Sequence, residues 1–108
     1  MAVITATKEN YTELILSDGT AVVFWAPWCS FCKRLTPVLK ELEQEYPKLR
    51  MVLVNIDDLE EISDQYGIEI IPSMLVFHNQ KPSEVFVAPQ RKEDVITWLY
   101  KQKAYGLV

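Results

Sequence analysis

Ala21-Val22-Val23-Phe24-Trp25-Ala26-Pro27-Trp28-Cys29-Ser30-Phe31-Cys32-Lys33 decides the fold. Its first six residues form a continuous apolar run, the pattern of a strand buried on both faces, as in a parallel sheet covered by helices. Pro27 stops the run. Past the turn, Leu35, Val38, Leu39, Leu42 and Tyr46 recur at helical spacing, which predicts a helix from about Ser30 with one buried stripe. The two cysteines therefore straddle a helix N-terminus, where unpaired backbone N–H groups and the helix dipole favour negative charge. Cys29 is expected just ahead of the first turn, accessible and inclined to the thiolate, with Cys32 further in. Residues three apart at a helix start face each other closely enough for their sulfurs to bond, so one can attack and the other resolve.

Composition narrows the function. A chain of 108 residues reads as a single domain over 1–108, large enough for one core. Its formal charge of −4, with Lys and Arg scattered, excludes a nucleic-acid surface. The start, Met1-Ala2-Val3-Ile4-Thr5-Ala6-Thr7-Lys8, lacks the basic segment and long apolar stretch of a signal peptide, and no run approaches a membrane span. Two cysteines are too few for a disulfide-stapled secreted scaffold, so a reducing cytoplasm is the expected compartment. Randomly placed, the two would fall three apart roughly one time in fifty, which makes the spacing informative. The blander reading is a buried thiol pair or an inert staple, whose short loop gains little entropy on closing. Zinc needs four ligands and the chain adds only His78, read as an exposed residue at a strand end. No metal or organic cofactor is expected.

Around the central segment, Val3-Ile4-Thr5 reads as a short edge strand. Asn10 and Glu13 have capping-box spacing and open a short helix with Tyr11, Leu14 and Ile15 inward, ended by Ser17-Asp18-Gly19. Pro37 inside the long helix predicts a kink, because the apolar period continues beyond it. Met51-Val52-Leu53-Val54-Asn55-Ile56 is a second buried strand, parallel to the first across a helical crossover. Asp58 and Glu61 repeat the capping-box spacing before a short helix with Leu59, Ile62 and Tyr66 inward and Gly67 at its end. Met74-Leu75-Val76-Phe77 is a third strand, Asn79-Gln80-Lys81-Pro82 a turn, and Glu84-Val85-Phe86-Val87 an antiparallel return. A last helix from about Gln90 turns Val95, Trp98 and Leu99 inward. The order implies an α/β architecture, a central mixed sheet of about five strands flanked by four helices. Trp25 is read as core, Trp28 as a flat apolar surface beside the nucleophile.

From Phe24 to Lys33, with Pro37 after it, the segment resembles the active site of the thioredoxin family, and the resemblance covers essentially the whole chain. It implies the thioredoxin fold and a thiol-disulfide oxidoreductase that reduces protein disulfides by dithiol exchange. Cys29 would be the nucleophile and Cys32 the resolving thiol, with Trp28, Ile71 and Pro72 as the docking surface. Lys33 and Pro37 would support the site. Ile71-Pro72 matches the family's cis-proline segment. The implied partners are disulfide-containing proteins and a thioredoxin reductase or equivalent donor, and the implied state is a monomer. An oxidase or isomerase of the same chemistry, and a non-catalytic binding module on the same fold, are the alternatives.

Four departures from the family pattern matter. Ser30-Phe31 replaces the usual Gly-Pro, and Phe31 brings a backbone N–H near Cys29 that proline would lack, which would favour its thiolate and a more oxidising couple. Val23 and Leu53 stand where a buried aspartate and a lysine commonly sit, so proton removal from Cys32 must use another route. Ala88 replaces a glycine of the substrate groove, and Ser73 replaces the usual threonine.

Overall fold

The computed structural model describes residues 3–107, so Met1, Ala2 and Val108, at the ends of the expected domain, lie outside it. The apolar run forms β2 (Thr20–Trp25), buried along almost its whole length. Two parallel strands lie to one side of it, β3 (Met51–Asn55) against β2 and β1 (Val3–Thr5) against β3. On the other side β4 (Ser73–His78) runs antiparallel to β2. Two short strands, β5 (Lys81–Pro82) and β6 (Phe86–Val87), both pair with β4, giving the order β1-β3-β2-β4-β5 with β6 beside β4. The long crossover between β2 and β3 is α2 (Ser30–Glu45), which begins where the apolar period places it and continues through Pro37 as one helix. The remaining helices are α1 (Tyr11–Leu14), α3 (Glu60–Gln65) and α4 (Lys92–Lys101).

Because side chains alternate along a strand, each central strand feeds two separate cores. Val22, Phe24, Val52, Val54, Leu75 and Phe77 pack with Tyr11 and Leu59 on the face covered by α1 and α3. Ala21, Val23, Met51, Met74 and Val76 meet Leu35 and Leu42 of α2 and Val95, Trp98 and Leu99 of α4 on the other. Each fully buried leucine of this kind contributes about 2 kcal/mol by leaving water. At the edge of the second face Lys92, at the start of α4, reaches Glu45 and Glu41 of α2 at 2.6 and 3.3 Å.

Three local expectations are corrected. Asn10 does not cap α1 with its side chain: it accepts from the Thr7 N–H at 2.6 Å while its own N–H reaches the Thr7 hydroxyl. The reciprocal pair thus forms one turn earlier than the spacing of Asn10 and Glu13 suggests. Asp58 likewise makes no cap for α3; Asn55 organises that turn, its side chain accepting from the Asp57 N–H and its carbonyl from those of Asp58 and Leu59. The hairpin turn is only Asn79-Gln80, both with positive φ, because Lys81 and Pro82 already pair with β4. Ser83 then interrupts the returning strand by bonding Val76 through both its backbone and its hydroxyl, and pairing resumes at Phe86 and Val87.

Candidate active site

β2 delivers the site and α2 carries it. After Trp25 the chain turns through Ala26-Pro27-Trp28, and Cys29 becomes the N-cap of α2 in extended conformation. Cys29 Sγ accepts a hydrogen bond from the Cys32 N–H at 3.2 Å, the bond an N-cap side chain makes to the first turn. This donor is Cys32, not the Phe31 N–H that the sequence suggests. Cys29 Sγ also lies 3.7 Å from the carbonyl oxygen of Ile71. Both cysteines are buried, at 6% and 5% exposure, which corrects the expectation of an accessible Cys29. The turn shields it, with Ala26, Trp25, Ile56 and Ile71 packed around the pair.

Burial acts on the resolving thiol. Cys32 is pushed up to about 12, first by desolvation and then by its hydrogen bond with Cys29. The strand positions nearest its inner side carry no charge. Val23 of β2 and Leu53 of β3 are register partners, and both line a cavity of about 400 Å³ behind Cys32.

The rim is apolar and exposed. Trp28 is 66% exposed, and its indole Nε1 donates to Asp57 at 3.0 Å, which fixes the ring beside the cysteines. Phe31 is 52% exposed, with the Arg34 guanidinium over its ring and its carbonyl accepting from Gln90 Nε2. Across from them the Ile71–Pro72 peptide bond is cis, and Ser73 donates its hydroxyl to the Ile70 carbonyl. Pro72 O accepts from the Ala88 N–H at 2.7 Å, and Ala88 has φ +50°, a left-handed conformation that explains why glycine suits this position.

Cys29, Cys32, Ile71 and Pro72 thus come together, with Trp28 on the rim. Lys33 and Pro37 are exposed on α2, Lys33 touching the site through its backbone N–H to the Cys29 carbonyl. Trp25 is half-buried beside the cysteines rather than in the main core. His78 is half-buried as well, its Nε2 2.8 Å from the Gln102 carbonyl at the end of α4. Asp57 and Gln90 escaped the sequence reading, since a lone carboxylate in an acidic turn and a glutamine before a helix carry no pattern.

A family model described as Thioredoxin matches residues 2–101. Thioredoxin of Bacillus subtilis (strain 168) is 36% identical over 94 residues, which span 86% of this chain and 90% of that protein. Thioredoxin of Rickettsia bellii (strain RML369-C) is 35% identical over 96 residues, spanning 86% of this chain and 91% of that protein. Thioredoxin M5, chloroplastic, of Oryza sativa subsp. japonica is 35% identical over 102 residues, spanning 92% of this chain and 59% of its own length. Among the described residues no helix is long and apolar enough to cross a membrane.

Proposed function

Since the chain belongs to the thioredoxin family and is a thiol-disulfide oxidoreductase, we propose that it is a general reductant of protein disulfides, with Cys29 attacking and Cys32 resolving. The Cys29 thiolate attacks one sulfur of a substrate disulfide; that bond breaks, a substrate thiolate leaves, and a mixed disulfide joins Cys29 to the substrate. Cys32 then loses its proton and attacks Cys29 Sγ, releasing the second substrate thiolate and leaving a Cys29–Cys32 disulfide. Two electrons from a thioredoxin reductase or equivalent donor restore the dithiol. The observation that carries the assignment is the hydrogen bond from the Cys32 N–H to Cys29 Sγ, because a donor aimed at sulfur serves an anion better than a thiol. Trp28, Ile71 and Pro72 form the docking surface, Lys33 adds positive potential and Pro37 shapes the helix. The protein acts as a monomer over residues 1–108, in the cytoplasm, without metal or organic cofactor.

Ser30-Phe31 between the cysteines favours one second reading, a disulfide donor or isomerase, because related couples span about −270 to −120 mV. Insulin reduction and the equilibrium reduction potential test both. Reduction that is lost in Cys29→Ser, with a potential near the reducing end, supports the reductase. A potential near the oxidising end supports the donor. Absence of turnover in the wild type, with partner binding intact, makes the domain a binding module.

A further inference from the structure

The two exposed rings of the rim, Trp28 and Phe31, are tied to charges of opposite sign. The Trp28 indole donates to the Asp57 carboxylate at 3.0 Å, and Asp58, Glu60 and Glu61 follow Asp57 into the start of α3. The Arg34 guanidinium instead lies over the Phe31 ring, 5.3 Å from its centroid. Gln90 Nε2 donates to the Phe31 carbonyl at 3.5 Å, which sets that residue beside the segment joining β6 to α4. Asp57 follows β3, whereas Gln90 follows β6, which pairs with β4. Since β2 runs between β3 and β4, the carboxylates and the guanidinium fall on opposite sides of the strand that delivers Cys29.

Arg34 has no ion partner of its own. It is exposed on α2, and the residues one turn from it are Ser30, Phe31, Pro37 and Val38, none of them acidic. Among the described residues no carboxylate lies within ion-pair distance of it. Arg91, beside Gln90, is by contrast engaged by Glu93 at 3.7 Å. An exposed guanidinium gains little from a ring alone, but the ring restricts where its planar fork of N–H donors can point, and that fork matches a carboxylate. The chain as a whole carries a net charge of −4, so its general field repels acidic partners, and attraction of an acid at this point is local.

We propose that Arg34, steadied by Phe31, is a specificity-determining residue that favours disulfides in which an aspartate or glutamate flanks the attacked cysteine on the Phe31 side. The substrate carboxylate accepts from the guanidinium N–H groups. Towards Trp28 and Asp57 the same acid meets like charge and is disfavoured. The preference is therefore for position as well as for sign, whereas the net charge of the chain alone would disfavour acid at either flank. This inference rests on the reading of Cys29 as the attacking thiol with Ile71 and Pro72 as its docking surface.

Single-turnover rates of the reduced full chain test the proposal, with disulfide-linked homodimers of a short serine-glycine peptide that contains a single cysteine. Aspartate is placed in turn at each of the nearest positions before and after that cysteine. Dividing each rate by that for dithiothreitol removes the effect of aspartate on the disulfide itself. Aspartate on one flank only should raise the rate about threefold over the parent peptide, and the gain should fade as salt is added. It should persist in Arg34→Lys, vanish in Arg34→Gln and become a loss in Arg34→Glu. Hydroxyethyl disulfide, which carries no charge, should be reduced at the same rate by every one of these proteins. Equal rates for aspartate at both flanks, or a flank preference that Arg34→Glu leaves unchanged, would overturn the proposal, and reduction of the uncharged disulfide would then leave the reductase standing. Failure to reduce even the uncharged disulfide would remove both.

Discussion

The two faces of the sheet are built from the same strands and packed in opposite ways. Under α1 and α3 the face is closed by aromatic rings: Tyr66 meets Phe77 edge-on with centroids 5.5 Å apart and Phe24 at 6.3 Å, and its hydroxyl bonds Tyr11 at 3.1 Å. Burial and that bond raise the Tyr11 phenol well above its ordinary range, so it stays neutral. Under α2 the same sheet is lined by aliphatic residues that leave a cavity reaching Cys32. Rings close one side; the other is held by buried aliphatic residues and the Phe86–Trp98 pair, and leaves open only the space beside the thiol that must react. Structural and chemical work are thus divided between faces that differ by one residue of strand register.

Removing a side chain from each face breaks the comparison most sharply. Phe77 has no exposed surface, so Phe77→Ala leaves a cavity among rings and costs about 4 kcal/mol in urea unfolding. Leu39 is half-buried beside existing space, and Leu39→Ala costs about 1 kcal/mol, below the range of fully buried leucines. Equal losses would show that the α2 face is as tightly packed as the aromatic face.

A charge placed on the chemical face gives the next effect. Val23→Asp inserts a carboxylate into the buried strand face beside Leu53 and costs about 2 kcal/mol of stability. The same carboxylate can take the Cys32 proton, so single-turnover resolution of the mixed disulfide becomes faster near neutral pH. A variant no faster than wild type would show that Cys32 already has an adequate proton acceptor.

The smallest effect is in the pH dependence of stability. Folding raises the Cys32 pKa, so the folded chain holds that proton more tightly than the unfolded chain does. This contribution is intact below the ordinary thiol range and is lost as the pH climbs from there toward about 12. Reduced wild type should lose on the order of 1 kcal/mol relative to Cys32→Ser by pH 10. Parallel pH profiles for the two proteins would contradict the assigned burial.

What could be read from the sequence follows from how local each cause is. The strands around Phe24, Val54 and Val76 and the start of α2 were legible because apolar periodicity reports burial directly. The cis bond before Pro72 came with the family resemblance, since an X-Pro pair carries no such signal by itself. Caps were misplaced because the Asn10 side chain is engaged by the Thr7 N–H and the turn before α3 is organised by Asn55 rather than Asp58, and spacing does not rank such competing local bonds. The shielding of Cys29 depends on Ile56 and Ile71, brought in from distant turns. The cavity was half legible: Val23 and Leu53 announce missing charges, but only the packing of α2 shows that Trp25 and Glu43 end beside the space.

Mass spectrometry of trapped mixed disulfides tests the division of labour between the cysteines most directly. With a disulfide-bonded protein substrate, Cys32→Ser should accumulate one adduct, localised to Cys29, while Cys29→Ser accumulates none. An adduct on Cys32 in Cys29→Ser, at a rate matching that on Cys29 in Cys32→Ser, would contradict the account, because the two sulfurs would then be interchangeable.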